Sequence, residues 1–237
     1  MQSMNPRIGA ILLGTAIFAC AVAATASSLA LDDYRWVHYL SKPAATLLML
    51  LFVALVSRSP ERAPNVRFRR AVMAGLAFSA CGDAFLMLPV TVLPSSFMLG
   101  LASFLLAHLS YLWAFTSDAR WFGKPAALIG FLTVGVINLV ILWPGIPADL
   151  QVPVVIYVGF LIAMTSQAVS RFLALKTAGS GFAAFGGILF LLSDTLIAYD
   201  KFHHHLIAAQ ACILVTYYAA TWLIAKSACS EHLKLNI

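Results

Sequence analysis

Apolar runs without charge, each long enough to cross a bilayer, decide what this chain can become. Ile8 to Leu31 holds more than twenty residues without one Asp, Glu, Lys or Arg. At ~1.5 Å per residue, such a run spans ~30 Å of hydrocarbon as a helix. Further runs follow at about 41–57, 71–88, 96–116, 125–143, 152–175, 182–199 and 205–225. In lipid, backbone polar groups must be satisfied within the segment, so helices are the form these runs take. The expected fold is an all-α membrane protein: a bundle of about eight transmembrane helices making one polytopic domain over 1–237. With 62% hydrophobic and only 10% charged residues, nothing remains from which to build a soluble domain beside the bundle.

The charges lie between the runs and are sorted by side. One set of alternate loops holds Arg7, Arg58, Arg62, Arg67, Arg69, Arg70, Arg120, Lys124, Arg171, Lys176, Lys226 and Lys234. The other holds only Arg35, Lys42 and Lys201. The positive-inside rule then predicts cytoplasmic N- and C-termini, which an even number of spans allows. The net charge of +6 is accounted for by this sorting, and no basic stripe interleaved with aromatics points to nucleic acid. Met1 to Arg7, the following run and Ala24-Thr25-Ala26-Ser27-Ser28 together look like a secretory signal with a cleavage site. The run is longer than a signal core, so a retained span is expected. Cys20, Cys81 and Cys212 lie in apolar runs and Cys229 lies beyond the last, with no metal-like spacing, so they are expected to be small buried hydrophobes.

Most acids fall at helix ends, where water solvates them: Asp32, Asp33, Glu61, Asp118, Asp149, Asp200 and Glu231. Asp83 and Asp194 do not. Each sits inside a run almost free of charge, where an ionised carboxyl costs several kcal/mol and marks a polar, functional cavity. Asp83 is twelve residues past Ala71 and Asp194 twelve past Phe182. Both therefore lie ~18 Å from the cytoplasmic edge, at one depth, on spans that run the same way. Two satisfied acids tying helices together is the plainer alternative to a shared site. The strings Ser79-Ala80-Cys81-Gly82-Asp83 and Phe190-Leu191-Leu192-Ser193-Asp194 also hint at a four-plus-four repeat.

Helical spacing names the surroundings. Ser79, Gly82, Asp83 and Leu86 share one face, as do Gly187, Phe190, Asp194 and Ala198. His108 and Tyr111 of the fourth span, and Gln210 and Tyr217 of the eighth, are candidate hydrogen-bond partners for the acids; such residues also serve as plain interhelical ties. Lys42-Pro43 opens the second span on the outer side, where Lys42 either binds a lipid phosphate or simply snorkels. His203, His204 and His205 are consecutive and point different ways on a helix, so no metal site is expected.

In order along the chain, Lys42-Pro43, Cys81-Gly82-Asp83-Ala84-Phe85-Leu86-Met87-Leu88-Pro89, Phe97-Met98-Leu99-Gly100 through His108 and Tyr111, Gly187 to Ala198 with Ser193-Asp194, and Tyr217-Tyr218 resemble the YhhN-like lysoplasmalogenases. The Gly-Asp and Ser-Asp strings are the specific part. The resemblance implies a membrane-embedded hydrolase that opens the vinyl-ether bond of lysoplasmalogens. The products would be a fatty aldehyde and glycerophosphoethanolamine or glycerophosphocholine. It implies Asp83 and Asp194 as the catalytic pair and a lysophospholipid in the bilayer as substrate. In a bacterium the location would be the cell (inner) membrane. Acid and base chemistry by two carboxyls needs no nucleophilic serine, metal or organic cofactor. The head group is expected near Lys42 at an outward-opening mouth, with the tail running past Phe104 and Phe190. A proton-coupled transporter using the same acids would need helices broken by Gly or Pro, for which Gly186-Gly187 is the candidate. An aspartyl intramembrane protease would need a Pro-Ala-Leu motif near the end, which the sequence lacks.

Overall fold

The computed structural model describes residues 6–29, 35–56, 65–89, 91–204 and 208–230. They form eight helices: α1 (Pro6–Leu29), α2 (Arg35–Val56), α3 (Val66–Met87), α4 (Ser96–Phe115), α5 (Pro125–Leu142), α6 (Ala148–Leu175), α7 (Ala178–Phe202) and α8 (Ala209–Ser227). A short 3₁₀ turn, Trp143–Gly145, links α5 to α6, and no strand occurs among the described residues. The helices α1 to α7 each contain a stretch long and apolar enough to cross a membrane. α8 is not among them, since part of its length carries Gln210, Thr216, Tyr217, Tyr218 and Thr221. The protein is a multi-pass membrane protein.

Local chemistry sets the ends. Leu88 turns extended after α3, just before Pro89. Pro125 opens α5 at a first-turn position where its missing N–H costs nothing. Lys176 ends α6 in the left-handed region, and Thr177 with Ser180 then forms a capping box for α7. Several helices begin earlier than the apolar runs suggest: α2 at 35 rather than 41 and α6 at 148 rather than 152. Lys42-Pro43 consequently lies two turns inside α2 instead of opening it. α7 runs unbroken through Gly186-Gly187, so the helix break that a transporter reading needs is not there.

Sequence neighbours pack as antiparallel pairs, with one exception: α4 packs on α6, and α5 lies outside, held mainly by α6. α8 closes the bundle against α1, α2 and α7. A polar latch explains the exception. Arg171 of α6 is fully buried, donates from Nε and Nη2 to both carboxylate oxygens of Asp118 at 2.7 and 2.6 Å, and lies 4.5 Å over the Phe68 ring. Gln167, one turn earlier, donates to the carbonyls of Phe115 and Arg120 and accepts the Phe122 N–H. Asp118 is therefore not the freely solvated loop charge the sequence suggests. α6 carries a buried cation that must be paired.

The cysteines also depart from expectation. Cys81 and Cys212 are exposed, Cys20 and Cys229 partly so, and all four are free thiols. On a bundle surrounded by lipid, an apolar side chain has as much reason to face outward as inward. Of the residues read from sequence as loop or terminal charges, Arg58, Glu61, Arg62, Asp32, Asp33, Glu231 and Lys234 lie outside the described residues, as does His205.

Candidate active site

Asp83 and Asp194 occupy equivalent places in the two halves of the chain. Asp83 is on α3 and takes partners from α2 and α8; Asp194 is on α7 and takes partners from α6 and α4. Each acid is thus on the third helix of its half and is served by the second helix of that half and the fourth of the other. This interleaving matches the expected four-plus-four pattern and follows from the packing of α8 on α2 and of α4 on α6.

Around Asp83 the environment is closed. The side chain is 1% exposed, and its Oδ2 accepts from Thr46 Oγ1 at 2.8 Å and from Tyr217 OH at 2.7 Å. Lys42 Nζ stands 3.8 Å from Oδ1 and is itself nearly buried. The ammonium and two hydroxyls are donors of the kind an ionised carboxylate accepts. Lys42 reaches them because it sits inside α2, one turn before Thr46. It is therefore engaged in the interior and not free at an outer mouth. Ser79 shares a 3.2 Å hydrogen bond with Tyr111 OH, so these two expected site residues brace α3 against α4 and do not touch a carboxyl directly.

Around Asp194 the environment is open on one side. Its Oδ2 accepts from Tyr157 OH at 2.6 Å, and His108 Nε2 lies 3.6 Å away, just outside hydrogen-bond reach. Both His108 ring nitrogens are buried without a hydrogen-bond partner. Asp194 also lines a furrow with about 100 Å³ of cavity space among α3, α4, α5, α6 and α7, walled by Phe97, Leu101, Phe104, Leu139, Leu161 and Phe202 among others. Asp83 does not line it. Tyr157, Asn138 and Thr195 are the other polar side chains on an otherwise apolar wall.

Between the acids stands an aromatic cluster. The Tyr217 ring, whose hydroxyl holds Asp83, packs edge-on against Phe104 and Phe190, with centroids at 5.8 and 5.7 Å. Phe190 packs in turn on His108 at 4.9 Å, and His108 on Tyr157 at 5.0 Å. The two carboxyls therefore have separate partners and meet through one continuous set of rings. Ser193 donates to the Ile213 carbonyl at 3.2 Å, tying α7 to α8 behind the cluster. Gln210 is exposed near the start of α8 and takes no part. Thr46 and Tyr157 are additional first partners of the acids. Thr46 shares Lys42's helix face at i+4, a signal the sequence does carry. Tyr157 is a polar-tipped residue in an apolar span, which without the fold reads as any interfacial tyrosine.

Gly82 makes the cluster possible. A Cβ added there would sit 2.6 Å from two ring atoms of Phe104. Gly82→Ala is expected to push Phe104 off Tyr217 and Phe190 and to cost about 1–3 kcal/mol of stability through overpacking. Thermal unfolding in detergent measures this; an unchanged midpoint would mean that the ring moves freely.

A helical bundle with one acid lining an apolar furrow, backed by a second acid with its own buried cation, defines a polytopic membrane protein with carboxyl groups buried among its helices. The chain belongs to the YhhN family, whose model matches residues 37–228, from α2 through α8 and across both acids. Lysoplasmalogenase TMEM86B of Homo sapiens is 32% identical over 208 residues, covering 83% of this chain and 77% of its own length. The lysoplasmalogenase of Mycobacterium tuberculosis (strain CDC 1551 / Oshkosh) is 32% identical over 172 residues, covering 70% and 61%. The TMEM86A lysoplasmalogenase of Bos taurus is 32% identical over 163 residues, covering 66% and 64%. No solved structure matches the chain.

Proposed function

We propose that this protein is a lysoplasmalogenase, an ether hydrolase of the membrane that cleaves the vinyl-ether bond of 1-alkenyl lysophospholipids, with Asp194 handling the protons. The observation that carries the reading, beside the family, is a single carboxyl group among the apolar residues that line this furrow. A lysolipid lying in that furrow would bring its enol-ether carbon to Asp194. Proton delivery to that carbon turns the enol ether into an oxocarbenium ion. The carboxylate left behind then takes a proton from the water that adds, giving a hemiacetal. The hemiacetal collapses to a fatty aldehyde and the glycerophospho head group. The Tyr157 hydroxyl fixes the carboxyl's orientation, as a positioned acid requires.

Asp83 supports the same step from behind the rings. With Lys42 and Thr46 it holds the Tyr217 hydroxyl, and through Tyr217 it fixes Phe104 against the furrow. Aromatic faces beside the reacting carbon also favour the developing cation.

The test is chemical. Purified protein given a 1-alkenyl lysophosphatidylethanolamine should release a long-chain aldehyde, and given the 1-acyl analogue should release nothing. Fatty acid from the acyl lipid, or no aldehyde from the alkenyl lipid, counts against the assignment.

A further inference from the structure

The buried position of Lys42 leaves a question of charge. A lysophospholipid carries a phosphodiester, and a furrow with an apolar wall needs a cation at its mouth to receive it. Three cations belong to the end of the bundle opposite the main basic loops: Arg35, Lys42 and Lys201. Lys42 is engaged by Asp83. Arg35 begins α2, a helix that contributes nothing to the furrow wall. Lys201 is placed differently. It lies in the last turn of α7, is exposed, and holds its ammonium 4.0 Å from the centre of the Phe97 ring. Phe97 and Phe202, whose rings are 6.3 Å apart, both line the furrow. The cation therefore stands on the rim of the cavity that contains Asp194.

The spacing along α7 fits one ligand. Lys201 follows Asp194 by seven residues, so the two share a helix face about two turns apart, ~10 Å along the axis. In a 1-alkenyl lysophospholipid the enol ether and the phosphate are separated by one glycerol. A glycerol phosphate and a lysine side chain together bridge that distance, with the ether at the carboxyl and the phosphate at the ammonium. Asp200 is turned ~100° around the helix from Lys201 and has a contact of its own. The alkenyl chain then has the wall of Phe104, Leu161 and Leu191.

Resting on the lysoplasmalogenase reading, we infer that Lys201 is the phosphate anchor of this site: it binds the phosphodiester of the substrate at the furrow mouth and so sets which bond of the lipid reaches Asp194. Because ethanolamine and choline lipids share that phosphate, the anchor accepts both.

The experiment separates this inference from the hydrolase reading by measuring binding without turnover. Full-length protein in nanodiscs is titrated with a saturated 1-O-hexadecyl lysophosphatidylcholine, which has no enol ether to cleave, and with 1-O-hexadecylglycerol, which lacks the phosphate. Lys201→Gln is expected to weaken the phospholipid about tenfold, the loss of one charge-assisted contact, and to leave the alkylglycerol unchanged. Lys201→Arg should restore phospholipid binding. In turnover, Lys201→Gln should raise KM about tenfold with kcat within about twofold. Equal weakening of both lipids, no weakening of either, or no phospholipid binding by the unsubstituted protein overturns the inference. Unsubstituted protein that binds the phospholipid but releases no aldehyde from its alkenyl analogue overturns the hydrolase reading instead and leaves the anchor standing.

Discussion

Asp194→Asn should abolish aldehyde release while leaving the bundle intact. The substitution keeps size and shape and keeps an acceptor for the Tyr157 hydroxyl, so the 2.6 Å contact that orients the group survives in altered form. What disappears is the exchangeable carboxyl proton. General acid catalysis of this type is worth ~10²–10⁴-fold, and a loss of that order is expected in kcat, with KM little changed because asparagine keeps the carboxyl's size and the apolar part of the wall is untouched. Asp83 provides the internal comparison. It lies outside the furrow, so removing its charge should act through Tyr217 and Phe104 and cost about tenfold, a positioning effect. If Asp194→Asn retained more than about a tenth of the turnover, the proton would have to come from another group, and His108, 3.6 Å away, would be the first to test.

The second large effect concerns folding. Lys42→Met should destabilise the protein by about 3–5 kcal/mol, because it leaves Asp83 buried beside an apolar thioether instead of an ammonium. Asp83→Asn in the same chain should recover most of that loss, since a neutral amide asks for no counter-charge. The four proteins of this cycle, compared by thermal unfolding, give the coupling energy of the pair. A Lys42→Met variant that unfolds like the parent would mean that Lys42 does not serve the carboxyl and is free for a ligand. The Lys42→Met, Asp83→Asn double variant also supplies the folded background in which the positioning role of Asp83 is assayed.

Much of this could be read from the chain. The eight helices follow from charge-free runs, because lipid leaves the backbone no alternative to the helix, though among the described residues only seven of them are long and apolar enough to cross it. Asp83 and Asp194 stand out because a carboxyl in such a run is costly anywhere but in a site. His108 and Tyr217 were legible from helical spacing, which places them on inward faces. The role of Lys42 was not, and the reason is a helix boundary. A basic residue beside proline reads as the start of a span, and a lysine at a span's start faces water. Two further turns before it turn the same residue inward. Gln210 failed in the opposite way: its amide suggested a partner for an acid, but it sits so near the start of α8 that it faces outward. Arg171 and Asp118 were counted among the loop charges, because no one-dimensional pattern marks a cation that a tertiary contact will bury.

The interleaving of the halves has a consequence for how the chain is made. Both partners of Asp194, His108 and Tyr157, precede it in the chain, so that acid enters a finished setting when α7 inserts. Asp83 enters with Lys42 and Thr46 already beside it, but Tyr217 belongs to α8, which is made after both α2 and α3. Through the synthesis of α4 to α7, the lysine is the charge that lets this carboxyl stay in the membrane. The closing of α8 over it then brings the tyrosine hydroxyl to the carboxyl and the ring that meets Phe104 and Phe190, completing the contacts around both acids.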